Sequence, residues 1–143
     1  MIFRTDKNPS MFDVVIIGAG PSGTAAAFDL LAKGLKVLVL DKYGFPRKKA
    51  CAGGITPKAY HLFKYDISSI VRRECKTVKV KPSRKTSFLI KDANILCYMT
   101  KREDLDLFSL NKIIEKGAIF KVIKKTQSIE ENAKSVTIKT DTD

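Results

Sequence analysis

Residues 13–41 read DVVIIGAGPSGTAAAFDLLAKGLKVLVLD, and no other stretch constrains the fold as tightly. Residues 13–17 are an apolar, β-branched run, the mark of a strand buried in a parallel sheet. Residues 18–23, GAGPSG, form the turn after it. Residues 24–33 are rich in Ala and Leu and predict a helix, with Gly34 placed as its C-cap. Residues 35–40 are a second apolar strand, ending at Asp41. Parallel neighbours need a crossover, and the helix supplies one. The expectation is a β-α-β core over 12–41 and an α/β, Rossmann-like fold.

Each glycine of Gly18-x-Gly20-x-x-Gly23 has a physical task in this setting. Gly18 permits the tight turn, Gly20 lets backbone approach a pyrophosphate, and Gly23 lets helix and strand pack closely. The helix N-terminus offers free N–H groups and a partial positive charge to phosphates. Asp41 follows Gly23 by 18 residues, where a carboxylate accepts hydrogen bonds from ribose hydroxyls. It would repel a 2′-phosphate, which argues against NADP. FAD and NAD both satisfy this fingerprint, and the bland alternative is a glycine turn with no ligand.

Further along, residues 42–54 carry Gly and Pro without a period and read as a loop. Thr56 and Pro57 begin a short helix running to about residues 62–63, with Thr as N-cap and Pro at N1. Residues 76–81 alternate as a strand; 87–90 and 95–99 are strands joined by a turn at 91–94. Thr100 and Glu103 make a capping box that opens a helix over 100–116. Leu105, Phe108 and Ile113 lie on its apolar stripe, and Gly117 ends it. A strand at 118–124, a turn at 131–134 and a last strand at 135–139 follow. The added β-strands and helix make 1–143 one partial domain.

At 143 residues and 44% hydrophobic content, the chain can bury a core without staples. No apolar run reaches the roughly 18 residues of a membrane span, and residues 1–13 do not resemble a signal peptide. A cytoplasmic location is expected. Cys51, Cys75 and Cys97 are widely spaced, no CxxC occurs, and His61 is the lone histidine. These counts argue against a disulfide scaffold and against a metal site. The net charge of +12 is concentrated at 42–86, with 13 basic residues against 2 acidic. Such a segment suits nucleic acid, an anionic membrane surface or a phosphate-bearing ligand, or is simply a solvated face. No zinc-finger spacing or RNP-like run accompanies it, which disfavours nucleic acid.

A resemblance narrows the cofactor. Gly18-Ala-Gly20-Pro21-Ser22-Gly23 looks like the FAD-binding turn of flavoprotein reductases and monooxygenases. Asp41-Lys42-Tyr-Gly-Phe45-Pro46-Arg47-Lys-Lys-Ala-Cys51-Ala52-Gly53-Gly54 closely resembles the DK-x-x-FPR-x-K-x-C-x-G-G signature of the geranylgeranyl reductase family. Arg102-x-x-Leu105-Asp106, with Gly117-Ala118 downstream, is similar to the R-x-x-F-D…G-A helix of the same superfamily, Leu105 replacing its Phe.

The resemblance implies FAD as cofactor and reduction of isoprenoid double bonds as the activity of the intact family. It places Gly18, Gly20, Pro21, Ser22, Gly23, Asp41, Lys42, Arg47, Ala52, Gly53, Gly54 and Arg102 at the cofactor. It places Cys51 beside the flavin as the candidate catalytic residue, a thiolate helped by Arg47, Lys48 and Lys49. Arg47 is equally readable as a solvated cation, and Lys42 as a surface lysine. Cys75 and Cys97 are expected to be inert core thiols.

The family's D-G-x-x-S block, its G-D block and its aromatic substrate motif have no counterpart in these residues. The resemblance therefore implies the N-terminal part of such a reductase, truncated or completed by a second chain. Only a completed enzyme would engage an isoprenoid lipid, and peripheral membrane contact would accompany it. The competing readings are an inactive remnant and a basic binding module for anionic lipid or nucleic acid.

Overall fold

The computed structural model describes residues 11–141. In chain order the elements are β1 (Val14–Ile17), α1 (Pro21–Ala32), β2 (Val37–Asp41), β3 (Gly54–Ile55) and α2 (Pro57–Tyr60). They continue with a 3-10 turn (Ser68–Ile70), β4 (Arg73–Cys75), β5 (Thr77–Val80), β6 (Phe88–Lys91), β7 (Cys97–Met99) and α3 (Arg102–Glu115). The last are β8 (Ile119–Val122), β9 (Thr126–Glu131) and β10 (Val136–Thr140). They form two compact units, one from residues up to Phe45 together with those from Ser109 onward, the other Pro46–Phe108.

The first unit holds a parallel sheet in the order β1-β2-β8. Central β2 is the most buried strand, as its unbroken apolar run requires. Val37, Val39, Ala27, Ala19, Leu110, Ile113 and Ala118 make the core, with Phe45 set edge-on to Phe120. The small residues of α1 let the helix lie close to the sheet: Ala27 and Thr24 are fully buried there. β9 and β10 form a separate antiparallel hairpin, turned by Asn132, whose side-chain carbonyl accepts from the Lys134 and Ser135 N–H groups.

The second unit pairs β3-β7-β4 antiparallel and carries β5-β6 as a two-stranded ribbon. Ile55, Ile67, Tyr98 and Leu105 form its core, where Tyr60 stacks on Tyr98 at 4.0 Å between centroids. The stripe on α3 thus serves two cores. Leu105 and Phe108 pack in this one, and Ile113 packs in the first.

Four local expectations need correction. α1 starts inside the glycine turn, at Pro21 rather than residue 24, with Gly20 as N-cap. Proline at N1 loses no hydrogen bond there, so the helix extends back to it. The Thr56 hydroxyl caps α2 as expected, but α2 stops at Tyr60. The strands around residues 91–94 do not pair with each other: β6 pairs with β5, and β7 with β4 and β3. Finally, α3 begins at Arg102, and the Thr100 hydroxyl donates to the Gly53 carbonyl instead of capping it. A partner 47 residues away in sequence takes the group that the capping signature assigns locally.

Ile113 is fully buried in the first core. Ile113→Ala is expected to lower unfolding free energy by about 2–5 kcal/mol in urea denaturation. Ile129→Ala, at a 59% exposed position of β9, is expected to stay within about 0.5 kcal/mol of the parent.

Candidate functional site

In the first unit the glycine turn is tied down by backbone and by one carboxylate. The Gly18 N–H donates to the Leu40 carbonyl at 2.6 Å. The Ala19 N–H donates to Asp41 Oδ2 at 2.8 Å, and the Tyr43 N–H to Asp41 Oδ1 at 3.0 Å. Asp41 is 7% exposed at the end of central β2. Each oxygen has taken one donor and keeps a further lone pair. Gly18 sits at φ +111, in the region that favours glycine, and a methyl on Gly23 would overlap the Gly18 carbonyl oxygen.

The N-terminus of α1 has no side-chain cap and no acidic residue in its first turn. Its leading N–H groups and its dipole are therefore presented to whatever anion approaches. Thr24 turns its hydroxyl inward to the carbonyls of Gly20 and Pro21. Pro21 and Ser22 are exposed at the tip. Lys42 is exposed, its ammonium 5.0 Å from the centroid of the Tyr43 ring. A pyrophosphate fits this turn because the features present are uncapped N–H groups, bare glycine backbone and an adjacent carboxylate for a sugar hydroxyl.

In the second unit a buried carboxylate organises the basic loop. Asp106 has a side chain with no solvent exposure. Arg102, one helical turn earlier, grips it with Nε and Nη2 at 2.9 and 3.0 Å. Arg47 approaches the same carboxylate at 3.3 Å. One carboxylate therefore holds two guanidiniums. Asp106 was legible only as a motif letter. Its i,i+4 spacing from Arg102 is the signal that pairs them.

Cys51 is exposed beside this group. Its sulfur accepts the Gly53 N–H at 3.4 Å, and a hydrogen bond from Arg102 adds to it. Both hold the thiol below its ordinary value, the Gly53 N–H more strongly. The expectation that Arg47, Lys48 and Lys49 would activate the thiol is thus corrected: Arg47 is engaged with Asp106, and the second activating group is Arg102. Gly53, at φ +75, presses on Thr100, and Gly54 packs against the Cys97 sulfur. Ala52 is exposed on the loop just before Gly53. An open cleft of about 410 Å³ is lined by Lys48, Lys49, Cys51, Ala52, Lys101 and Arg102, among others.

The remaining candidates fall elsewhere. His61 is exposed, edge-on to Tyr60. Cys75 and Cys97 are half-buried rather than core thiols, and they stand opposite each other in the β4–β7 pairing. Among the described residues, no helix is long and apolar enough to cross a membrane.

The geometry agrees with what this chain is similar to. The FAD dependent oxidoreductase family matches residues 13–94, more than half of the chain. The chain belongs to that family, whose cofactor is FAD. It is 40% identical over 133 residues to an uncharacterized protein of Methanosarcina barkeri, covering 92% of this chain and 34% of that one. It is 32% identical to the geranylgeranyl diphosphate reductase of Rhodobacter capsulatus, over 75% of this chain and 27% of the relative. Its fold matches a geranylgeranyl bacteriochlorophyll reductase-like protein of Thermoplasma acidophilum at a TM-score of 0.75 and 24% identity, over 90% of this chain and 34% of that chain. The chain thus spans about a third of the length of the relatives it matches.

Because the Cys51 thiol is shifted down, its alkylation by iodoacetamide should reach half-maximal rate at lower pH than an ordinary thiol. Arg102→Gln should move that midpoint up without abolishing it, since the Gly53 N–H remains. A pH series read by peptide mass spectrometry checks both.

Proposed function

We propose that this chain carries the FAD-binding part of a flavin-dependent reductase that saturates isoprenoid double bonds. The uncapped glycine turn locked to Asp41 carries the reading. Gly18, Gly20 and Gly23 give backbone room at the pyrophosphate, with Pro21 and Ser22 opening the helix that faces it. Asp41 takes a ribose hydroxyl on its spare lone pairs, and Lys42 lies on the adenosine side. In the other unit, Arg102, Arg47, Ala52, Gly53 and Gly54 are assigned to the cofactor by the family signature they match.

When bound, FAD supplies hydride transfer. The chain's residues bind and orient. Asp106 fixes the Arg102 guanidinium, and Arg102, after the Gly53 N–H, helps hold the Cys51 thiol below its ordinary value. In this reading Cys51 touches the reacting region and is the catalytic candidate. Engagement of an isoprenoid lipid belongs to the intact family, of whose length this chain covers about a third.

Titration of the 143-residue chain with FAD, followed by flavin fluorescence, tests the reading. Saturable micromolar binding is expected, not competed by NAD. Gly20→Val should weaken it at least about tenfold, or 1.4 kcal/mol. Absence of binding at any workable concentration would leave the inert reading standing.

A second observation supports peripheral contact with a membrane. Residues 76–91, which contain β5 and β6, include six Lys or Arg and no acid. Phe88, Leu89 and Ile90 are 44–53% exposed on the same ribbon. Cationic charge beside exposed apolar groups suits an anionic bilayer better than nucleic acid. The chain is expected to sediment with anionic vesicles at low salt, to be released as salt rises, and to ignore zwitterionic vesicles. DNA retardation without vesicle binding would overturn this in favour of a nucleic-acid module.

A further inference from the structure

Cys75 closes β4, Cys97 opens β7, and the register runs Arg73↔Met99, Glu74↔Tyr98, Cys75↔Cys97. Directly opposed residues of an antiparallel pair have Cα atoms about 4.5–5.5 Å apart. That lies inside the range of about 4.4–6.8 Å that a disulfide spans. Opposed side chains also project from one face of the sheet. Alternation puts both sulfurs on the face opposite Tyr98, which is buried in the core of this unit. Cys97 Sγ lies 3.7 Å from Met99 Sδ on that face.

Two further features make the pair reactive rather than merely adjacent. Both cysteines are half-buried, and β4 is an edge strand of β3-β7-β4. Neither residue is closed off in the core. The ladder is also interrupted just beyond the pair. The Leu96 N–H donates to the Cys75 carbonyl at 2.8 Å, and regular pairing resumes only at Thr77↔Lys91. Such an irregularity lets the backbone shift toward the torsion an S–S bond needs.

The geometry points to Cys75 and Cys97 as a dithiol that a peroxide oxidises to an intramolecular disulfide. One thiolate attacks a peroxide oxygen, the O–O bond breaks, and a sulfenic acid and water result. The second thiol attacks that sulfur and displaces its hydroxyl as water. Two S–H bonds are lost and one S–S bond forms; each sulfur gives up one electron, and the peroxide is reduced to two waters. The new bond ties β4 to β7 at the base of the cationic β5–β6 arm and closes residues 76–96 into a covalent loop.

The experiment takes the reduced 143-residue chain, adds hydrogen peroxide, quenches with acid and digests with trypsin. The expected product joins the peptide of residues 74–76 to that of residues 92–101. It should disappear on treatment with dithiothreitol. In Cys51→Ser, which changes an exposed residue, titratable thiols should fall from two to none and return on reduction. Cys75→Ser and Cys97→Ser should each abolish the linked peptide. Three results would overturn the assignment: sulfinic acids on the two cysteines with no link, a link from Cys51 to either, or a disulfide dimer as the main product on non-reducing gels.

Discussion

The Asp41 carboxylate is the interaction on which the first unit turns. It closes the most buried strand of the sheet, and its two oxygens hold the N–H of Ala19 in the glycine turn and the N–H of Tyr43 in the following loop. Hydrogen bonds to a charged acceptor contribute roughly 1.5–3 kcal/mol each. The strand end, the turn before α1 and the start of the basic loop are therefore positioned together. A bare glycine turn would have many shapes; this one has its shape imposed from below by a side chain that is itself anchored in the core sheet.

Asp106 does the equivalent work in the second unit. A lone buried carboxylate would be costly, and the paired guanidiniums of Arg102 and Arg47 offset that cost. Arg102 then has a hydrogen bond to spare for the Cys51 sulfur. An exposed thiol is thus lowered first by the Gly53 N–H and second by an arginine whose orientation a buried carboxylate fixes.

How much of this was readable in advance depended on the range of the deciding contact. β1, α1 and β2 were legible because apolar runs, an Ala-rich segment and three spaced glycines each dictate local geometry. The pairing of β6 with β5, rather than with β7, was not, because adjacency in sequence does not fix which ladder a strand joins. Thr100 carried the right residue for a cap, but the Gly53 carbonyl claimed its hydroxyl. The same reason governs Cys51. Its sequence neighbours are lysines, yet a backbone N–H two residues on and an arginine far along the chain lower its pKa. The two half-buried thiols of β4 and β7 likewise become partners only once the strand register is known.

The parallel ladder between β2 and β8 has a consequence for how the chain comes to be. Leu38 pairs with Ile119, so the two strands lie about eighty residues apart in sequence. At typical elongation rates of about 5–20 residues per second, β2 waits roughly ten seconds on the ribosome for that neighbour. During that interval one side of the strand that ends in Asp41 is an open edge of Val and Leu, the kind of surface that recruits foreign strands. Pro46–Phe108 emerges whole within the wait and has a core of its own to collapse around. Order of synthesis thus favours the later segment folding first, with the nucleotide-type turn acquiring its full support last.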